Sequence, residues 1–241
     1  MISRPDNTEQ PIRFSEKYLK TTWLTNVCNY YIDNRTIVVN LGQEKAHISV
    51  SPEKYLLPRT STILKHVSIK DGDSLLLIEI LDETNIGGIV LDSLWNQLGE
   101  LIDFPKDVPL WKSPQYDLGR VKFDPYFVTG QSDRPQDSNI KEYQLKVNLW
   151  FAPAKNNCAI HKKHVVPDFL EVHTQIYGTG RMQKFKDNTF DTIYQDVIMS
   201  PGETHIPFAN MAEDGHFVYP WHQYYSDTDC IWMANEFHPI A

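Results

Sequence analysis

The nine histidines of this 241-residue chain are unevenly spread: His47 and His66 lie in the first half, and the other seven fall between residues 161 and 238. Imidazole is the commonest metal ligand and the usual acid or base near neutral pH, so chemistry is expected in the C-terminal half. Residues 158–180 read CAIHKKHVVPDFLEVHTQIYGTG. His161 and His164 precede a Pro-Asp turn, and a strand then runs from Glu171 to the turn Gly178–Thr179–Gly180. Alternation on that strand puts Glu171, His173, Gln175 and Tyr177 on one face and Val172, Thr174 and Ile176 on the other. If the apolar set packs between sheets, the polar set lines a cavity, and a buried Glu-His-Gln row is costly unless it is paired, hydrogen-bonded or metal-bound. His173 and Gln175 are the candidates for orienting a substrate or moving a proton.

Residues 200–241 carry the rest. Pro201–Gly202–Glu203 reads as a turn, and Thr204–Phe208, with His205, as a short strand. Tyr219–Pro220–Trp221–His222 follows a loop around Ala212–Gly215, and the polar Asp227–Thr228–Asp229 leads into a last strand, Cys230–Phe237. The aromatics here (Phe217, Tyr219, Trp221, Tyr224, Tyr225 and Trp232) are either core and rim packing or a stacking wall for a ligand. Tyr177, His205, Trp221 and Tyr224 are the candidate substrate contacts. His216 and His238 read as surface residues.

The elements that must hold these groups are mostly strands. Thr36–Asn40 is a β-branched run, Asp71–Gly72–Asp73 a turn signal before the buried-type run Ser74–Ile80, and Leu145–Phe151 alternates cleanly, with Lys146, Asn148 and Trp150 on its second face. One helix is expected where Leu91, Leu94, Trp95, Leu98 and Leu101 make an apolar stripe, and a shorter one over Ser15–Leu24. Thr129–Asn139 is the most loop-like stretch, which places a division of the chain within residues 112–140.

The order of the C-terminal segments resembles the cupin superfamily. Glu171–Gly178 matches the Glu-x6-Gly that ends the first cupin motif, Pro201–Gly202–Glu203 with Ile206–Pro207 matches the opening of the second, and Tyr219–Pro220–Trp221–His222 its metal-binding end. Two departures stand out: His-x-x-His replaces the family's usual His-x-His, and His205 competes with His222 for the second-motif position. The resemblance covers residues 119–241 and implies a mainly β fold with a small antiparallel β-barrel of jelly-roll type. It also implies a divalent metal held by His161, His164, Glu171 and His222, with His173 and His205 as alternates. Residues 1–118 would form a β-rich N-terminal domain with one or two helices, either a degenerate second barrel or a dimerisation cap. Fe(II) is the first choice of metal, with Mn, Zn or Ni as alternatives. The activity implied is an Fe(II) oxygenase or dioxygenase acting on a small polar metabolite. The alternatives are a Mn- or Zn-dependent sugar isomerase or epimerase, and a barrel that binds a small molecule without catalysis.

Composition excludes other classes. Lys and Arg number 23 against 31 Asp and Glu, a net charge of −8, so a phosphate backbone would be repelled and no nucleic-acid partner is expected. No apolar run reaches the length of a membrane span. MISRPDNTEQPIRF has no apolar signal-type core, and three cysteines are too few and too scattered for a disulfide framework. The expectation is a cytoplasmic homodimer with a small-molecule substrate.

Overall fold

Leu19–Ile32 is rich in Thr, Trp, Val and Tyr, residues that fit a pleated surface better than a helix. In the computed structural model, which describes residues 7–162 and 169–240, the segment is a 14-residue strand, and the short helix expected over Ser15–Leu24 does not form. The first seven strands make one antiparallel sheet: β1 (Thr8–Ile12), β2 (Leu19–Ile32), β3 (Thr36–Asn40), β4 (Ala46–Ile48), β5 (Lys54–Leu56), β6 (Ser61–Leu64) and β7 (Val67–Ile80). β2 and β7 pair from Leu19 opposite Ile80 to Ile32 opposite Val67, and β3 and β4 both line the far side of β7. Asp71–Gly72–Asp73 is therefore not a turn; it lies inside β7. One face of this sheet gathers a small core of Leu24, Val27, Val38, Ile69, Leu75 and Leu77.

The remaining strands are β8 (Asn96–Gln97), β9 (Trp111–Lys112), β10 (Tyr116–Phe123), β11 (Lys141–Ala152), β12 (Asn156–Asn157), β13 (Leu170–Tyr177), β14 (Gly180–Phe185), β15 (Ile193–Met199), β16 (Asn210–Met211), β17 (Phe217–Val218), β18 (Trp221–Ser226) and β19 (Cys230–Pro239). β11, β19 and β13 are neighbours in one sheet. The free edge of β13 is continued by residues 202–205: Gln175 donates to Glu203 O at 2.8 Å, Gly202 to Gln175 O at 2.9 Å and His205 to His173 O at 3.2 Å. The facing sheet runs β12-β18-β14-β15. The chain thus alternates between two four-membered antiparallel layers in the eight-strand order of a jelly roll, the double-sheet barrel that cupins share. Thr204–Phe208 supplies only a bridge to that order, Thr204 with Thr174, rather than the expected strand.

The helix expected over Leu91–Leu101 is absent. A 3-10 turn at Ile86–Leu91 and one α-turn at Leu98–Leu101 flank Asn96–Gln97, which pair with β9 instead. Its apolar stripe divides: Trp95 joins the core between the sheets, Leu98 the barrel interior, and Leu91 is 86% exposed.

The outer face of β11 and β19 packs on the N-terminal sheet. Leu145, Val147, Leu149, Ile231 and Met233 share one buried cluster with Ile37, Val39, Leu76 and Ile78. The division expected between residues 118 and 119 falls inside β10, and β8 and β9 hydrogen-bond into the barrel sheet from before it. No helix among the described residues is long and apolar enough to cross a membrane.

Candidate functional site

The inner face of the barrel is read from register. Across β13, β19 and β11, Glu171 lies opposite Glu236 and Lys146, His173 opposite Ala234 and Asn148, and Gln175 opposite Trp232 and Trp150. From the facing sheet, Lys184 lies opposite His222 and Met182 opposite Tyr224. The Gln175 end is closed by an apolar plug: Tyr224 stacks on Trp232 with centroids 3.9 Å apart, among Met182, Met199, Cys158 and Cys230. The Glu171 end is polar.

Glu171 and His173 share the inner face as strand parity requires, with His173 Nε2 3.3 Å from Glu171 Oε2. His173 is 8% exposed, and its Nδ1 is buried with no hydrogen-bond partner among the described residues. Both ring nitrogens of His205 are engaged: Nε2 accepts the backbone N–H of His173 at 2.9 Å, and Nδ1–H donates to Ile206 O at 2.9 Å. Burial pushes the His205 imidazole down to about 3, with the neighbouring His173 acting in the same direction. His205 is therefore a neutral clamp that pins the strand carrying His173, and neither nitrogen is placed for a metal or a substrate.

His161 and His222 form a hydrogen-bonded bridge pair, each N–H donating to the other's carbonyl at 2.9 Å, with ring centroids 4.3 Å apart. Each Nδ1 lies 3.0 Å from a backbone carbonyl two residues earlier, Ala159 O and Pro220 O respectively. A carbonyl only accepts, so Nδ1 carries the proton in both rings and Nε2 the lone pair. Metal-binding histidines usually hold this tautomer through such a second hydrogen bond. His164 lies outside the described residues. Among the described residues no three His, Cys, Asp or Glu side chains converge closely enough to hold an ion.

The other sequence candidates take different places. Gln175 is fully buried; its amide donates to Tyr177 O and Gly178 O, and its Oε1 accepts from the Tyr224 hydroxyl. Both residues lock the plug rather than meet a ligand, and burial raises the Tyr224 phenol well above its usual range. Tyr224→Phe is expected to cost about 1–3 kcal/mol by leaving Gln175 Oε1 unsatisfied. Urea unfolding measures that cost; ligand affinity should be unmoved. Tyr177 leaves the row because a bulge between Gln175 and Tyr177 breaks parity, and its ring packs toward the core between the sheets. The bulge precedes Gly178, whose φ of +74° and approach to the Asp229 carbonyl leave no room for a Cβ. Trp221 precedes His222 on β18 and so takes the opposite face. Cys158 and Cys230 sit in the plug as free thiols pushed up by burial, which argues against a nucleophile.

The sequence reading missed four groups in the barrel interior, Glu236, Asn148, His238 and Lys184. Glu236 is 4% exposed and accepts from Asn148 Nδ2 at 2.6 Å and Gln115 Nε2 at 2.6 Å, with His238 Nε2 at 2.8 Å. His238, expected at the surface, has a side chain only 20% exposed and packs on Phe169. The fourth is Lys184, 9% exposed, with Nζ 4.5 Å from the centroid of the Phe208 ring. Alternation along Cys230–Phe237 and Leu145–Phe151 was signal enough to put Glu236 and Asn148 on one face each, although not to say that this face turns inward.

No family model matches the chain, and no curated protein does. Solved structures do match. A cupin 2 conserved barrel domain protein from Leptotrichia buccalis is 11% identical, with a TM-score of 0.29 over 100% of this chain and 92% of that one. An oxalate decarboxylase of Bacillus subtilis, studied for its Mn(II) centres, is 10% identical, with a TM-score of 0.31 over 98% of this chain and 73% of that one. The fold assignment stands on the strand order above.

Proposed function

We propose that the C-terminal barrel binds a divalent cation and is the active site of an enzyme acting on a small polar metabolite. The observation that carries this reading is the His161–His222 pair, two imidazoles bridged side by side with both Nε2 lone pairs fixed by carbonyl-bound Nδ1–H groups. The donor chemistry fits a cation, with Glu171 and His164 as the further ligands this reading requires. Two imidazoles and a carboxylate suit Fe(II), and an Fe(II) oxygenase is the activity we favour. The bound metal would supply Lewis acidity and, if iron, oxygen chemistry.

His173 would move the proton. Its Nε2 faces the Glu171 carboxylate, which orients the ring, while the unpartnered Nδ1 is the nitrogen able to accept from a substrate. His205 holds that strand in place, and the Tyr224–Trp232 plug closes the barrel behind it.

Metal analysis of protein purified without a histidine tag tests the reading. One equivalent is expected, lost in both His222→Ala and Glu171→Ala. Full metal content in both variants would overturn it. Iron supports the oxygenase, manganese or zinc an isomerase, and no metal in the wild-type protein a non-catalytic binding barrel.

A further inference from the structure

The barrel interior holds a cation that no group on the described chain neutralises. Lys184 stands directly across from His222, so its side chain enters the same interior. It is 9% exposed, and among the described residues its side chain makes neither an ion pair nor a hydrogen bond. Its one contact of note is the face of Phe208, which also lies 5.1 Å from the His222 ring and 5.2 Å from the His205 ring, centroid to centroid.

Among the described residues the surroundings offer no counter-ion. His205 is held neutral, and His222 is held in its Nδ1–H tautomer. The two inward carboxylates are engaged elsewhere, Glu171 beside His173 and Glu236 beside His238. An ammonium on a largely buried side chain that faces only an aromatic ring is partly compensated. Buried charges are otherwise paired in folded proteins. An unpaired one that lines a candidate substrate cavity marks where a ligand brings the opposite charge.

We propose that Lys184 is the anion-binding group of the site and that the substrate is a small carboxylate. A single lysine without an arginine fork or a row of backbone N–H groups suits a monoanion. The carboxylate sits on Nζ, and its carbon skeleton lies along Phe208 toward His222. This proposal rests on the reading of the barrel interior as a substrate site and adds the substrate's class.

Lys184→Met keeps the stem and removes the charge, and acetate is the probe. In the wild-type protein, millimolar acetate is expected to bind and raise the melting temperature, and in Lys184→Met its affinity should fall about tenfold or more. Without acetate, Lys184→Met should melt higher than the wild type, because an unpaired charge on a largely buried side chain has gone. Lys184→Arg should retain acetate binding, and serves if the methionine variant does not fold. Equal acetate affinity in wild type and Lys184→Met, no acetate binding by the wild type, or tighter binding of inorganic phosphate than of acetate overturns the proposal. Metal content is measured on the same samples. Metal present with no Lys184-dependent acetate binding sinks the carboxylate alone; no metal with Lys184-dependent acetate binding sinks the metal centre alone.

Discussion

Glu236→Ala is expected to lower the unfolding free energy by about 3–5 kcal/mol, as losing one partner of a buried charged network does. Glu236 has almost no contact with water, and both its oxygens accept hydrogen bonds. Removing it strands three donors. Asn148 is fully buried, and its Oδ1 already lacks a partner among the described residues, so the bond to Glu236 is what holds its amide. Gln115 lies between β9 and β10, and its bond to Glu236 ties that connection to the last strand. His238 loses its carboxylate. Glu236→Gln keeps the shape but sets an amide NH₂ against another, so the expected cost is about 1–3 kcal/mol. Urea denaturation with an unchanged m-value measures both, and a cost below about 1 kcal/mol for the alanine variant would remove this network from the list of things that hold the barrel together.

That network shows what a sequence cannot display. The alternation of Leu145–Phe151 correctly separates Lys146, Asn148 and Trp150 from the apolar face, but a polar face reads as solvated. In the fold both faces of β11 are covered, one by the N-terminal sheet and the other by the facing barrel layer. Covering turns Asn148 and Glu236 into buried groups, and only the closure of the two sheets says so. The same holds for Lys184, an unremarkable lysine on a six-residue strand until β18 brings His222 beside it. The strand from Glu171 was legible because its two faces differ so sharply in polarity. Its parity held through Gln175 and failed at Tyr177, where a bulge precedes the turn at Gly178. The apolar stripe over Leu91–Leu101 misled for a related reason: spacing alone cannot tell one helix face from two residues bound for two different cores.

The protein is expected to lose stability steeply between about pH 6.5, the ordinary histidine value, and the pH of about 3 at which His205 titrates in the fold. His205 is buried and neutral, with Nε2 committed as an acceptor to the His173 N–H. Protonating it would put a second hydrogen where that N–H already points, and would place a buried charge beside Lys184. The unfolded chain meets neither obstacle and takes up the proton below about pH 6.5. Because the folded-state value is depressed, the unfolded state binds more protons throughout this window, so stability rises with pH across it and is fully present above it. The loss on acidification is about 1.4 kcal/mol for each pH unit below the unfolded-state value. Over the whole interval it approaches about 5 kcal/mol, comparable to the entire stability of many domains, so unfolding should come before His205 titrates in the fold. His205→Gln replaces the ring with an amide that can still accept from His173 and donate to Ile206 but does not titrate. That variant is expected to be less stable at pH 7.5 by about 1–3 kcal/mol and to have a much flatter dependence on pH. Urea unfolding of both proteins at pH 7.5, 5.5 and 4.5, each value about one unit or more from the unfolded-state pKa, measures the slope. Parallel slopes would show that the acid sensitivity belongs to other groups and that His205 is not the neutral clamp on the His173 strand.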